Sequence, residues 1–253
     1  MICIWCKKDF AKLSLEHGIP EALACPPELE MRNVACAKCN NSLSRVDRAL
    51  VKQFEMLTVM YGVPRKKGRK PTIASWRPIR SEHRPDGPHI YINAGPGVVE
   101  AMGKPLHPAT STSGITDLWI KPEDGQLGFS QQIGNDPRFV PALYKIGLNL
   151  IAWRFGPEVA AGEAYDHVRA FVRLEQGSSE LRAALVRKVV HRPVTQGGVM
   201  EKLDREYPMC RITILGWTFL IDMDPGGQSL NDMRGVATMQ GEPLYIFPFT
   251  MAT

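Results

Sequence analysis

Cys3-Ile4-Trp5-Cys6 and Cys36-Ala37-Lys38-Cys39 are two cysteine pairs of identical spacing, and between them runs Ser14-Leu15-Glu16-His17-Gly18-Ile19-Pro20-Glu21-Ala22-Leu23. Two thiolates three positions apart can face one tetrahedral zinc across a tight turn, and a second such pair closes the coordination shell. The first ten residues lack the basic-then-apolar pattern of a secretion signal, so a cytoplasmic setting is expected, where thiols stay reduced and zinc is favoured over disulfides. Cys3, Cys6, Cys36 and Cys39 are therefore expected to hold one structural zinc. Cys25 and Cys210 lack a comparable partner and read as core or surface thiols. The 29 residues between the pairs exceed the roughly 15 to 20 of a plain double-CxxC ribbon, so something further is built inside the loop.

An acidic residue and a histidine before an Ile-Pro step, closed by a CxxC pair that runs directly into Asn40 and Asn41, resembles the HNH endonucleases. The resemblance is to the branch whose ββα-metal motif is braced by two CxxC pairs. The family pattern places its last His or Asn 23 positions after its first histidine, and His17 to Asn40 spans 23 positions. The middle asparagine is matched by Asn33, two positions beyond where the pattern sets it, and Asp47 follows the second pair as the family's aspartate does. The resemblance covers about residues 1–50. It implies a ββα fold with Glu16 and His17 on a hairpin over about 10–24 and a helix over about 41–57. It also implies catalytic roles for His17, Glu16, Asn40 and Asn33, and a restriction, phage-defence or mobile-element setting.

The residue chemistry leads to the same groups. Phosphodiester hydrolysis needs a base to deprotonate water and a divalent metal to stabilise developing charge. An imidazole titrates near neutrality, which suits His17 as the base. Glu16 and Asn40 offer hard oxygen ligands for Mg2+ or Mn2+, ions that keep several waters and take the substrate phosphate as a ligand. A four-cysteine zinc cannot do this work, because its shell is full. Asn40 could instead cap the following helix, with Asn41 as the fallback ligand, and Asp47 reads as structural.

The 31 basic and 26 acidic residues give a net charge of +5, unevenly placed. Residues 61–90 carry 8 basic residues against 2 acidic ones. Arg65, Lys66, Lys67, Arg69 and Lys70 can neutralise phosphates and release counterions, so they are expected to contact DNA. Arg77, Arg80 and Arg84 extend that face. Such contacts position a nucleic acid without reading its bases.

With 253 residues, 22 glycines and 20 prolines, the chain is expected to be a turn-rich α+β protein rather than a helical bundle. Its organisation reads as a zinc-braced nuclease domain over 1–60, a basic linker or DNA-contacting segment over 61–90, and an α+β domain over 91–253. The last is suited to target recognition or homodimerisation. Strands are predicted over 89–93, 115–121, 211–222 and 244–249. Helices are predicted over 137–155, with one apolar face, and over 158–174 and 179–188. His83, His89, His107, His167 and His191 are scattered and read as structural, as do Trp76, Trp119, Trp153 and Trp217. No run is long and apolar enough for a membrane span. The functional expectation is a metal-dependent DNA endonuclease. A non-catalytic zinc ribbon that binds nucleic acid, or an HNH-fold nuclease acting on RNA, are the alternatives.

Overall fold

The computed structural model describes residues 1–64, 68, 80–83, 90–93, 115–121, 126–131, 133–134, 136–176, 181–188, 194–201, 206–240 and 244–247. The fold is α+β, and it opens with the expected ββα order. Strand β1 (Ser14–His17) pairs antiparallel with β2 (Glu30–Ala35), His17 opposite Glu30 and Glu16 opposite Met31, with a bulge between Ser14 and Glu16. The hairpin is wider than the expected 10–24. Pro20, Pro26 and Pro27 have no N–H to give a ladder, so the connection runs through two 3-10 turns, Glu21–Leu23 and Pro27–Leu29, before the return strand begins.

Helix α1 (Ala37–Gln53) starts four residues earlier than the sequence suggests, because the Cys36 sulfur caps it by accepting the Cys39 N–H. Its inward face carries Leu43, Val46, Ala49 and Leu50, the three- and four-residue spacing of one buried stripe. A short helix α2 (Glu55–Met60) continues it.

Two hairpins follow, β3 (Arg80–His83) with β4 (Ile90–Asn93) and β5 (Ile115–Lys121) with β6 (Gln126–Gln131). Arg65, Lys66, Lys67, Arg69 and Lys70 lie outside the described residues, as do Arg77, Arg84, His89, His107, His191 and Trp76.

Helix α3 (Phe139–Phe155) organises the remainder. The sequence predicts one buried face, yet the residues from Phe139 to Ala152 are buried all round. A five-stranded antiparallel sheet, ordered β11-β7-β10-β9-β8, covers one side, and the ββα unit covers the other. Its strands are β7 (Ala183–Lys188), β8 (Gln196–Met200), β9 (Met209–Ile214), β10 (Trp217–Asp222) and β11 (Tyr245–Phe247). Gly147 marks the crossing with the sheet: a Cβ there would meet the Met223 sulfur at 3.0 Å and Ile221 at 3.4 Å. Helix α6 (Gln228–Gln240) lies on the sheet's other face, where Leu230 joins Ala184, Met209 and Leu220.

Three expectations for this half are corrected. Residues 183–188 form a strand, not the helix read over 179–188: Ala183 packs into the main core and Ala184 into the α6 cluster, so alternate residues are buried on opposite faces and packing overrides helix propensity. Residues 211–222 hold two strands, β9 and β10, because Leu215 and Gly216 take positive φ and turn the chain between them. The helix read over 158–174 is divided at Gly162 into α4 (Pro157–Ala161) and α5 (Asp166–Arg173), with a 3-10 turn, Glu163–Tyr165, between them.

One continuous apolar core joins the two ends of the chain. It runs from Ile4, Trp5, Ile19, Leu43 and Leu50 through Leu143, Ile146 and Leu150 to Ile212, Phe219 and Phe247. Phe54 makes edge contacts with both Trp217 and Phe219 at 6.1 Å between ring centroids. No helix among the described residues is long and apolar enough to cross a membrane.

Candidate active site and metal centre

The four expected cysteines converge. The sulfurs of Cys3, Cys6, Cys36 and Cys39 all lie within 4.8 Å of one another, and a tetrahedral Zn–S4 centre with bonds of about 2.3 Å sets its sulfurs about 3.8 Å apart. The donor set therefore fits zinc. The Cys36 N–H donates to the Cys3 sulfur and the Cys39 N–H to the Cys36 sulfur, the pattern of thiolate acceptors in a knuckle. Burial would raise the Cys36 thiol, but hydrogen bonds from Cys39 and the neighbouring sulfurs outweigh it and lower it, whereas burial drives Cys39 up. Lys7 takes the left-handed conformation that closes the first knuckle, at φ 57°.

The knuckle is clamped from the far end of the chain. Arg169, on α5, donates to the Ile4 carbonyl at 3.2 Å and to the Ala160 carbonyl at 2.7 Å; Arg173 donates to the Trp5 carbonyl. Lys7 pairs with Asp166 at 2.9 Å. These contacts tie the zinc end of the ββα unit to α5.

Glu16 and His17 are neighbours on a strand, and strand neighbours point to opposite faces. His17 is on the outer side, its side chain 23 % exposed, with Nε2 3.8 Å from Oε1 of its cross-strand partner Glu30. Glu16 turns inward and is 3 % exposed. Its Oε1 accepts from Lys145 Nζ at 2.5 Å and from Asn149 Nδ2 at 3.2 Å, both on α3. The same ammonium reaches Asp47 Oδ2 on α1 at 3.0 Å. Lys145 and Asn149 each stand two residues from Gly147, about 200° round a helix, so while Gly147 meets the sheet they face the ββα unit.

This cluster is polar and incompletely satisfied; Glu16, Lys145 and Asn149 are buried and Asp47 is partly exposed. Burial would lower the Lys145 ammonium, but Asp47 and Glu16 outweigh that and hold it above the usual lysine value. Burial pushes the Asp47 carboxyl up; Lys145 opposes it, Glu16 adds to it and His17 acts against it. Asp47 Oδ1 and Asn149 Oδ1 are buried without a hydrogen-bond partner among the described residues. Orphaned oxygens beside two carboxylates are the donors a hard divalent cation takes, so Glu16 and Asp47 fit such an ion.

Asn40 lies in the first turn of α1, not at its cap. Its Nδ2 donates to the Leu15 carbonyl at 3.0 Å and to Ser14 Oγ at 3.4 Å, which commits the amide nitrogen to β1. Asn40 and Asp47 are seven positions apart, two helical turns, and share the face of α1 turned to β1. Asn33 and Asn41 are exposed, Asn33 on β2 and Asn41 on α1. Sequence reasoning missed Lys145 and Asn149. The signal was present: they are a cation and an amide four apart in a helix otherwise apolar up to Arg154.

No characterised protein and no solved structure matches the chain. Residues 3–55, about a fifth of the length, match the family model HNH_5, described as HNH endonuclease. That stretch begins at the first zinc-site cysteine and ends just past α1, so it spans the four cysteines, the Glu16-His17 strand and Asn40. The N-terminal part of this protein is an HNH domain of the endonuclease type, braced by a four-cysteine cluster.

Proposed function

We propose that the protein is a metal-dependent endonuclease that hydrolyses DNA phosphodiester bonds, with His17 as the general base. The observation that carries this reading is the placement of His17: it is the accessible imidazole of the matched domain, on the outer face of a strand whose inner face turns Glu16 to the Lys145 ammonium it shares with Asp47 of α1. A neutral imidazole there takes a proton from the attacking water, and Glu30 across the strand accepts from the imidazolium that forms. Glu16 and Asn40 would hold Mg2+ or Mn2+, with Asp47 beside them; when bound, the ion stabilises negative charge on the phosphate and the leaving oxygen. Asn33, on the return strand, is suited to contacting the backbone of the substrate rather than the reacting atoms. The four-cysteine zinc holds the two arms of the motif at a fixed separation. Arg65, Lys66, Lys67, Arg69 and Lys70 supply phosphate contacts.

The test is incubation of supercoiled plasmid with the zinc-loaded full chain. Nicked or linear product is expected with magnesium or manganese, none after chelation, and activity again when magnesium is restored. A wild-type protein that leaves DNA intact, or a His17→Ala variant that cuts as well as wild type, would count against the reading. The same assay on single-stranded RNA separates an RNA substrate.

A further inference from the structure

Lys145 is a lysine in the centre of the molecule, 2 % exposed, on a helix outside the matched HNH segment. One positive charge there faces two carboxylates, Glu16 Oε1 at 2.5 Å and Asp47 Oδ2 at 3.0 Å, so the cluster retains a net negative charge. Asn149 is fully buried and aimed into the same place through its bond to Glu16, and its Oδ1 and Asp47 Oδ1 have no partner among the described residues. A buried charge cluster left partly unsatisfied is costly unless another cation completes it.

We propose that Lys145 is a resident counter-ion of the nuclease site, a positioning residue that holds Glu16 and Asp47 together in the absence of metal and shares Glu16 with the incoming divalent ion. The inference rests on the functional reading above for the identity of that ion. Two consequences follow. The carboxylates stay converged behind His17 before metal arrives, since the ammonium offsets most of their mutual repulsion. The divalent ion binds more weakly than it would to the bare carboxylates, because a fixed positive charge stands within a few ångströms of it. The metal site is then loaded and released readily, and α3 belongs to it although it lies some ninety residues beyond the motif.

The experiment measures Mn2+ binding to the zinc-loaded full chain, by titration calorimetry and by the electron paramagnetic resonance signal of free Mn2+. Thiolate ligands keep the zinc site out of this titration, since manganese favours oxygen donors. Lys145→Met is expected to tighten Mn2+ binding by at least about a hundredfold, well within what removing a unit charge a few ångströms from a divalent ion allows at an effective dielectric of about 20. Lys145→Arg should bind as wild type does. Adding Glu16→Gln to Lys145→Met should abolish the gain. Folded Lys145→Met with unchanged or weaker Mn2+ affinity, or a double variant that keeps the gain, would overturn the proposal. Should Lys145→Met unfold, recovery of the fold on adding Mn2+ supports it, because the ion then replaces the missing counter-ion. Lys145→Gln is read by the same criteria, and failure of both variants to fold with Mn2+ present refutes it. These outcomes are separate from cleavage. A wild type that cuts DNA while Lys145→Met gains no affinity sinks the counter-ion alone. Gained affinity in a protein that never cuts DNA sinks only the nuclease reading.

Discussion

Removing zinc should unfold far more than the domain that holds it. Cys36→Ser deletes one metal ligand but leaves a hydroxyl able to cap α1, so it reports loss of the metal rather than of the cap. Without the metal the first knuckle is left to its hydrogen bonds and the Arg169 and Arg173 contacts, which are not expected to keep Ile4 and Trp5, 0 % and 1 % exposed, in place in the core. Each fully buried side chain of this size contributes about 1.5–3 kcal/mol, and the bond from buried Arg169 to the Ile4 carbonyl, as one to a charged group, about 1.5–3 kcal/mol more. The loss comes to about 5–9 kcal/mol, against a typical whole-protein stability of about 5–15 kcal/mol. Because Trp5, Leu50, Leu143 and Phe219 belong to one core, the penalty falls on the cooperative unit rather than on residues 1–60 alone. The measurement is calorimetric unfolding with zinc bound and after chelation, alongside elemental analysis. One zinc per chain, a single transition when loaded, and disappearance or a large downward shift of that whole transition without zinc are expected. Two independent transitions, the later one indifferent to the chelator, would refute the reasoning.

Other outcomes follow from the same geometry. His17→Ala should reduce plasmid nicking by about 10²- to 10⁴-fold, the range for removal of a general base, with zinc content and circular dichroism unchanged because the side chain lies on the outer face of β1. Neutralising Arg65, Lys66, Lys67, Arg69 and Lys70 together should lower the log–log salt slope of DNA binding by about 0.9 for each phosphate that is no longer neutralised, measured in the His17→Ala background; an unchanged slope would remove them from the interface. His167 is held below the usual histidine value by burial, and its Nε2 lies 3.0 Å from the Met223 carbonyl. A histidine with a depressed folded value contributes stability that is present above about pH 6.5 and lost as pH falls through the folded value. Melting temperature should therefore drop on acidification below that point, and less steeply in His167→Gln.

The N-terminal unit is legible in the sequence because its constraints are local and chemical. A CxxC spacing fixes two sulfurs through a turn of four residues, and the Leu43, Val46 and Leu50 stripe fixes the inward face of α1. The sheet is less legible, since residues 183–188 owe their strand to burial on both faces, which no window of that sequence reports. Helix α3 can be read from its own residues, but its surroundings cannot. Its periodicity suggests a single apolar face where the helix is in fact enclosed, because the partners that enclose it come from residues 14–50 and 183–247.

The pair Glu16-His17 shows where sequence adjacency and spatial adjacency part. Read along the chain, the two look like one functional group. A strand sends them in opposite directions, so one faces solvent and the other the interior. An inward carboxylate needs a cation there, and the ββα unit buries none among its described residues: Asp47, the nearest group on α1, is itself an acid. The cation must come from outside the motif, and α3 supplies it at Lys145. The motif therefore depends on the second half of the chain for its charge balance as well as for its apolar core. Expressed alone, residues 1–60 should bind zinc poorly and show little helix by circular dichroism, because Glu16 would be left without its counter-ion and Ile4, Trp5 and Leu50 without cover. A well-folded 1–60 fragment that cleaves plasmid as the full chain does would show that the helix is an accessory rather than part of the site.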